Sequence, residues 1–196
     1  GLRLVAYRNL KALGYNDEEV KAFAAENSVQ DINEDGETIE RPARSSDKFV
    51  SPYPNDLAAR AGNGGAYPPD LSLIVKSRSG GADYLHALLT GYKDAPSNKN
   101  VPDGMYFNSY YQGNLIGMPQ PLYEDGVTYA DGTKATPAQM AKDVATFLAW
   151  ASEPELEDRK RIGISVICFL LVLTILSYFA MRQIWAPIKS REKKTS

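Results

Sequence analysis

The side chains best suited to ligating a metal or acting as a base are used sparingly in this chain. There is one histidine, His86, and one cysteine, Cys168. Histidine titrates near neutrality and serves as a ligand or a general base, but a lone one is also a common surface or core residue. Cys168 lies within an apolar run, where a thiol packs as a small hydrophobe. A single cysteine allows no disulfide within the chain. One histidine and no nucleophile elbow give no Ser–His–Asp set. Phosphate loops, paired zinc ligands and dinucleotide fingerprints are absent. The remaining soft donor of note is Met118, in LIGMPQPL. Methionine usually fills gaps in a core. Between Gly117 and Pro119 its backbone is restricted while its thioether is presented inward.

Charge is distributed unevenly. Residues 1–158 carry 23 acidic and 14 basic residues, a formal charge of −9, whereas the whole chain is −2. Such a domain repels nucleic acid and anionic lipid and attracts basic partners. Five acids fall between Asp31 and Glu40. They read as a solvated loop or as part of a docking surface for a basic protein. Their spacing does not match a calcium loop.

The elements that would position these groups are mainly helical. Leu2, Val5, Ala6, Leu10 and Leu13 follow helical spacing, and Gly14 suits the C-cap. Asn16 is placed to cap a second helix with Val20, Phe23 and Ala24 on its buried stripe. The stretches SPYPND and AGNGGAYPPD are turn-rich. Asp70 is placed to cap a helix over Leu71–Arg78, and a further helix covers about Ala82 to Leu89. Thr136-Pro137-Ala138-Gln139 opens a helix to about Ser152 as a capping box, with Met140, Val144, Phe147, Leu148 and Ala151 on one face. Glu153-Pro154 interrupts it.

Ile162 to Met181 is 20 residues without a charge. At about 1.5 Å per residue this spans roughly 30 Å, the hydrocarbon thickness of a bilayer. Lipid offers the backbone no partners, so the segment must be helical. Arg182, Lys189, Arg191, Lys193 and Lys194 follow the span, and Arg159, Lys160 and Arg161 precede it. The bias places the tail on the cytoplasmic or matrix side, and the domain in the periplasm or intermembrane space. Tyr178 and Trp185 suit the interface. The chain opens at Gly1 without an initiator methionine, and it is expected to be the C-terminal portion of a longer product. The residues alone leave a cofactor-free acidic binding or assembly subunit open and, more remotely, a membrane-tethered hydrolase.

One long run narrows this. NGGAYPPDLSLIVKSRSGGADYLHALLTGY, from Asn63 to Tyr92, closely resembles the cytochrome c1 family, the haem-bearing subunits of ubiquinol–cytochrome c reductase. The resemblance continues through Leu115–Met118, YADGTKATPAQMAKDVATFLAWASEPE and WAPIKSR, covering essentially the whole chain. It implies a mostly α, loop-rich, cytochrome c-like haem domain over 1–158, a transmembrane anchor helix over 159–184 and a basic tail over 185–196. It implies a covalent haem c. The family's Cys-x-x-Cys-His motif is not in these residues, and GLRLVAYRNL resembles the run just after it, so the proximal histidine is expected upstream of Gly1. Met118 matches the sixth iron ligand. Arg78 matches the arginine that pairs with a propionate, Tyr84 and Asn63 match polar neighbours of the propionates, and Pro69 matches the proline at the haem edge. His86 matches no ligand. The implied role is that of an electron-transfer subunit rather than a stand-alone enzyme. It would take electrons from the Rieske iron–sulfur protein and pass them to soluble, basic cytochrome c. The implied setting is beside cytochrome b in a dimeric multi-subunit complex in the bilayer.

Overall fold

A computed structural model describes the backbone of residues 1–195 and the side chains through Pro187. The basic tail residues Lys189, Arg191, Lys193 and Lys194 therefore lie outside the residues whose side chains are described. The chain forms two compact units, Gly1–Pro154 and Glu155–Ser196.

In the first unit, a 3₁₀ helix covers Tyr7–Leu13 and ends at Gly14, whose φ of 98° is the left-handed C-cap its sequence position suggests. The expected helical start at Leu2 is replaced by a turn over Arg3 and Leu4, closed by the Val5 amide donating to the Leu2 carbonyl. Ala6 bridges Lys48, and the Phe49 amide donates to the Val5 carbonyl. Helix α1, Asp17–Ala25, is capped by Asn16, whose Oδ1 accepts from the Glu18 and Glu19 amides while Glu19 reaches back to the Asn16 amide. Val20 and Ala24 are buried. Phe23 is instead 46% exposed, touching the Tyr7 ring from the edge of the cluster.

The acidic stretch forms a hairpin rather than a loop. Strand β1, Ser28–Ile32, pairs antiparallel with β2, Thr38–Pro42. Asn33 Oδ1 accepts from the Asp35 and Glu37 amides, and Gly36, at φ 82°, closes the turn. Arg41 bonds Asp31 at 2.5 Å and Asp47 at 2.6 Å, fixing the hairpin to the following loop. Glu34, Asp35, Glu37 and Glu40 remain exposed.

Helix α2, Asp56–Gly62, capped by Asn55, lies inside the stretch that reads as turns. Helix α3 covers only Ile74–Ser77. Asp70 does not cap it. It bonds the Ser72 amide and is drawn away to Arg3. Helix α4, Gly81–Thr90, follows as expected and stops at Gly91. Two short strands, β3 (Tyr106–Phe107) and β4 (Leu115–Ile116), pair antiparallel. Helix α5, Pro137–Ser152, starts at Thr136, whose Oγ1 accepts from the Gln139 amide. The box is not reciprocal, because the Gln139 side chain bonds Asp143. Its buried stripe is Met140, Ala141, Ala145, Leu148 and Ala151, whereas Val144 and Phe147 are exposed. Small alanines allow close approach to α4, the main neighbour of α5. That turns the helix slightly from the face its larger residues suggest.

The core is divided. Tyr7, Leu10, Val20, Ala24 and Ala43 form one cluster, with Phe49 and Trp150 against it. Ile74, Leu85, Ala145 and Leu148 form another, flanked by Leu2, Val75 and Tyr84. Helix α5 contributes to both through Trp150 and through Ala145 and Leu148. In the second unit, α6 spans Leu156–Thr195. Its Leu156–Pro187 stretch is long and apolar enough to cross a membrane, and none of its most apolar window is buried. The chain is thus mostly α and loop-rich, with one long apolar C-terminal helix.

Candidate functional site

Met118 follows β4 directly. The β3–β4 pair delivers it: Tyr106 is in register with Ile116, and Met105 lies just before Tyr106. A Cβ placed on Gly117 would sit 3.8 Å from Met105 Sδ and 3.9 Å from Ala66 Cβ. That is ordinary contact, so space alone does not demand glycine there. It does show that the turn before Met118 rests against the Asn63–Ala66 loop and a second thioether. The Met118 carbonyl accepts a hydrogen bond from the Tyr92 hydroxyl at 3.1 Å. Burial, with a smaller contribution from Tyr123, pushes the Tyr92 phenol up to about 12, so it stays protonated and able to donate at neutral pH. Met118 itself is 37% exposed and Met105 39%.

Tyr92 is held from behind. Asn108, fully buried, bridges Tyr92 through the main chain. Its Nδ2 donates to the Leu88 carbonyl at 2.8 Å, and its Oδ1 accepts from the Tyr110 and Tyr111 amides. Ser109 donates twice to the Gly91 carbonyl. The end of α4, the 108–111 turn and Met118 are therefore one connected unit. Sequence reading singles out Met118 but misses Tyr92 and Asn108. Tyr92 carries a weak signal, as a tyrosine directly after a helix-ending Gly91, whereas Asn108 carries none.

The other expected site residues are placed as follows. Arg78 is at the C-terminal end of α3, exposed, and its Nη1 makes one long bond of 3.5 Å to the Ser77 carbonyl. Among the described residues no carboxylate pairs with it. Its carbonyl accepts from the Gly81 amide, so it stands one turn ahead of α4. Tyr84 is half-buried in the first turns of α4, over Gly80 and against the Ile74–Leu85 cluster. Asn63 ends α2 and donates to the Ala59 carbonyl at 2.6 Å. Pro69 is exposed in the loop that leads to Asp70. His86 is mid-helix in α4 and half-buried. Arg78 and Tyr92 thus flank opposite ends of α4, a helix of ten residues and about 15 Å. The loop after Asn63 comes near the turn before Met118 at Ala66 and Gly117.

These residues fit a haem better than a bare ion. Among the described residues, no three His, Cys, Asp or Glu side chains converge as a metal site. A neutral, soft, half-open thioether suits haem iron. Arg78, free of acidic partners, suits an anionic substituent, which a guanidinium can bind bidentately. The loops between these residues leave apolar side chains open: Tyr67 41%, Leu71 37%, Leu73 45% and Tyr106 42%. A unit this large normally closes one contiguous core, and here two separate clusters stand beside open apolar loops. The arrangement suits a large apolar group that the chain itself does not supply.

Comparison with known proteins agrees. Residues 1–188 match the family described as the cytochrome C1 family. The chain is 48% identical to "Cytochrome c1-2, heme protein, mitochondrial" of Solanum tuberosum, covering 97% of this chain and 74% of that protein. It is 49% identical to "Cytochrome c1, heme protein, mitochondrial" of Schizosaccharomyces pombe, covering 97% and 62%. It is 48% identical to "Cytochrome b-c1 complex catalytic subunit, mitochondrial" of Candida albicans, covering 96% and 66%. The chain thus spans between about three fifths and three quarters of these relatives' lengths. Similarity along nearly the whole chain, together with the loop-borne Met118 and the single long apolar helix, places this chain in the cytochrome c1 family.

Proposed function

We propose that the chain forms the greater part of a membrane-anchored c-type cytochrome in the ubiquinol–cytochrome c reductase complex. It accepts electrons from the Rieske iron–sulfur protein and passes them to soluble cytochrome c. The observation that carries this reading is Met118: an open thioether on a loop whose carbonyl is tied to half-buried Tyr92. When bound, haem supplies reversible one-electron redox chemistry. Covalent attachment would run through a Cys-x-x-Cys-His motif, which residues 1–196 do not contain.

The chain's own residues set the conditions. Met118 offers iron a neutral sulfur, which favours the ferrous state and raises the potential. Arg78 would offer its guanidinium to a propionate, with Tyr84 from α4 and Asn63 from the end of α2 as polar neighbours of that group. Pro69 and the open apolar loops exclude water from the ring edge. The Leu156–Pro187 stretch of α6 anchors the domain beside cytochrome b in the bilayer. The basic residues after it orient the domain to the periplasm or intermembrane space, with the tail in the cytoplasm or matrix. The −9 domain, with Glu34, Asp35, Glu37 and Glu40 exposed on the hairpin, supplies a landing field for a basic acceptor.

The haem-loaded protein truncated after Glu157 should be soluble and should still reduce cytochrome c. Its second-order rate should fall steeply from low salt to 0.15 M, where the Debye length is about 8 Å. A rate that stays flat across that range would remove electrostatic docking. Absence of any cytochrome c reduction would remove the electron-transfer reading.

A further inference from the structure

Met118 owes its position to a residue from a different part of the chain. The Tyr92 hydroxyl reaches its carbonyl across 26 positions of sequence. Among the described residues, Met118 and Pro119 make no other hydrogen bond. The β3–β4 pairing ends at Ile116, and a segment held beyond it at one main-chain atom, with a 37% exposed side chain, can swing unless that bond holds. The anchor, by contrast, cannot easily move. Gly91, beside it, is buried, and a Cβ there would approach Tyr110 Cδ2 to 2.6 Å and the Ala87 carbonyl to 2.8 Å. Asn108 closes the same knot through Leu88 and the Tyr110 and Tyr111 amides.

We propose that Tyr92 is the positioning residue for the Met118 thioether, its hydroxyl holding the loop so that the sulfur stays at iron rather than yielding to a competing ligand. This deepens the reading of Met118 as the iron ligand and rests on it. Tyr92 touches neither iron nor macrocycle in this account. It acts through the main chain of Met118, and the buried Asn108 knot keeps it in place. The removal of one hydroxyl should therefore loosen a ligand without emptying the site.

The test uses the full-length, haem-loaded protein in its membrane complex, with imidazole as the competing ligand. Tyr92→Phe keeps the ring and loses only the donor. A hydrogen bond of ordinary net strength predicts about a fivefold rise in apparent imidazole affinity. The ferric sulfur-to-iron charge-transfer band should weaken while haem content stays at the wild-type level. Tyr110→Phe, a matched change beside Gly91, should bind imidazole as wild type does. Met118→Leu separates the two levels of the argument. If the band survives in Met118→Leu, sulfur ligation by Met118 is wrong and the tether falls with it. If Met118→Leu abolishes the band but Tyr92→Phe keeps wild-type band and imidazole affinity, the tether alone is overturned. An equal rise in Tyr110→Phe would also overturn it, because the effect would then belong to packing and not to the hydroxyl.

Discussion

Gly91 shows how one residue can steady the Met118 loop from a distance, through Tyr92. Any side chain there would meet the Tyr110 ring at 2.6 Å, the Ala87 carbonyl at 2.8 Å and Asn108 Oδ1 at 2.9 Å. Two of these neighbours cannot yield. The Ala87 carbonyl is helix backbone, and Asn108 Oδ1 is committed to the Tyr110 and Tyr111 amides. We predict that Gly91→Ala destabilises the domain by about 1–3 kcal/mol, the usual cost of overpacking. Denaturant unfolding of the haem-loaded protein measures it, and a change below about 0.5 kcal/mol would contradict the packing described. At this scale the sequence discloses donors by their type and rarity. Met118 stands out as a loop methionine, and His86 is set aside as a lone histidine that matches no ligand of the family it resembles. Arg78, Tyr84, Asn63 and Pro69 owe their selection to family resemblance, since no periodicity or spacing marks a residue that waits for a group the chain does not contain. Asn108 is invisible because its value lies in three partners that only the folded loops bring together.

Among the elements, caps and breakers were the legible part. Asn16, Gly14, Thr136, Gly91 and Pro154 all fall where a helix begins or ends, because each acts on backbone within one turn of itself. Elements decided by distant partners were harder to read. Asp70 has the type of an N-cap, yet the strap of residues 1–4 captures it. The Arg3 amide and Nε bond its Oδ2, Leu4 bonds Ser72, and Leu71 bonds the Gly1 carbonyl. The acidic hairpin is the reverse case. Its acids read as a solvated loop, and the pairing of Val29 with Arg41 and Asp31 with Ile39 appears only in the fold. The Asp70 strap yields a pH prediction. Burial pushes its carboxyl up, but hydrogen bonds from Ser72 and Arg3 outweigh that and hold it at about 2, below its ordinary 3.8. A depressed folded-state value means that this stabilisation is complete above about pH 4 and is lost as pH falls towards 2. Asp70→Asn should therefore be less stable than wild type at pH 6, by about 2 kcal/mol at most, and the gap should narrow between pH 4 and 2. Thermal unfolding across that range tests it, and a gap independent of pH would show that the charge is not what holds the strap.

For the molecule as a whole, the parts suit the anchored electron carrier proposed above. A helical domain with a split core leaves two thioethers open, those of Met105 and Met118. Its surface is acidic, and a single apolar helix carries basic residues beyond its far end. The apolar run is readable because bilayer thickness fixes its length. The split core is not, because a sequence shows which residues are apolar but not which of them stay open. The account's central claim is that this domain holds a haem through Met118. Its most direct test is a redox titration of the full-length, membrane-embedded protein, comparing wild type with Met118→Leu. Loss of the thioether removes the neutral sulfur that favours ferrous iron, so the midpoint potential should fall by on the order of 100 mV. That is well over a tenfold change in the one-electron equilibrium, at about 59 mV per tenfold. A Met118→Leu protein that keeps its haem and titrates at the wild-type potential would contradict the claim.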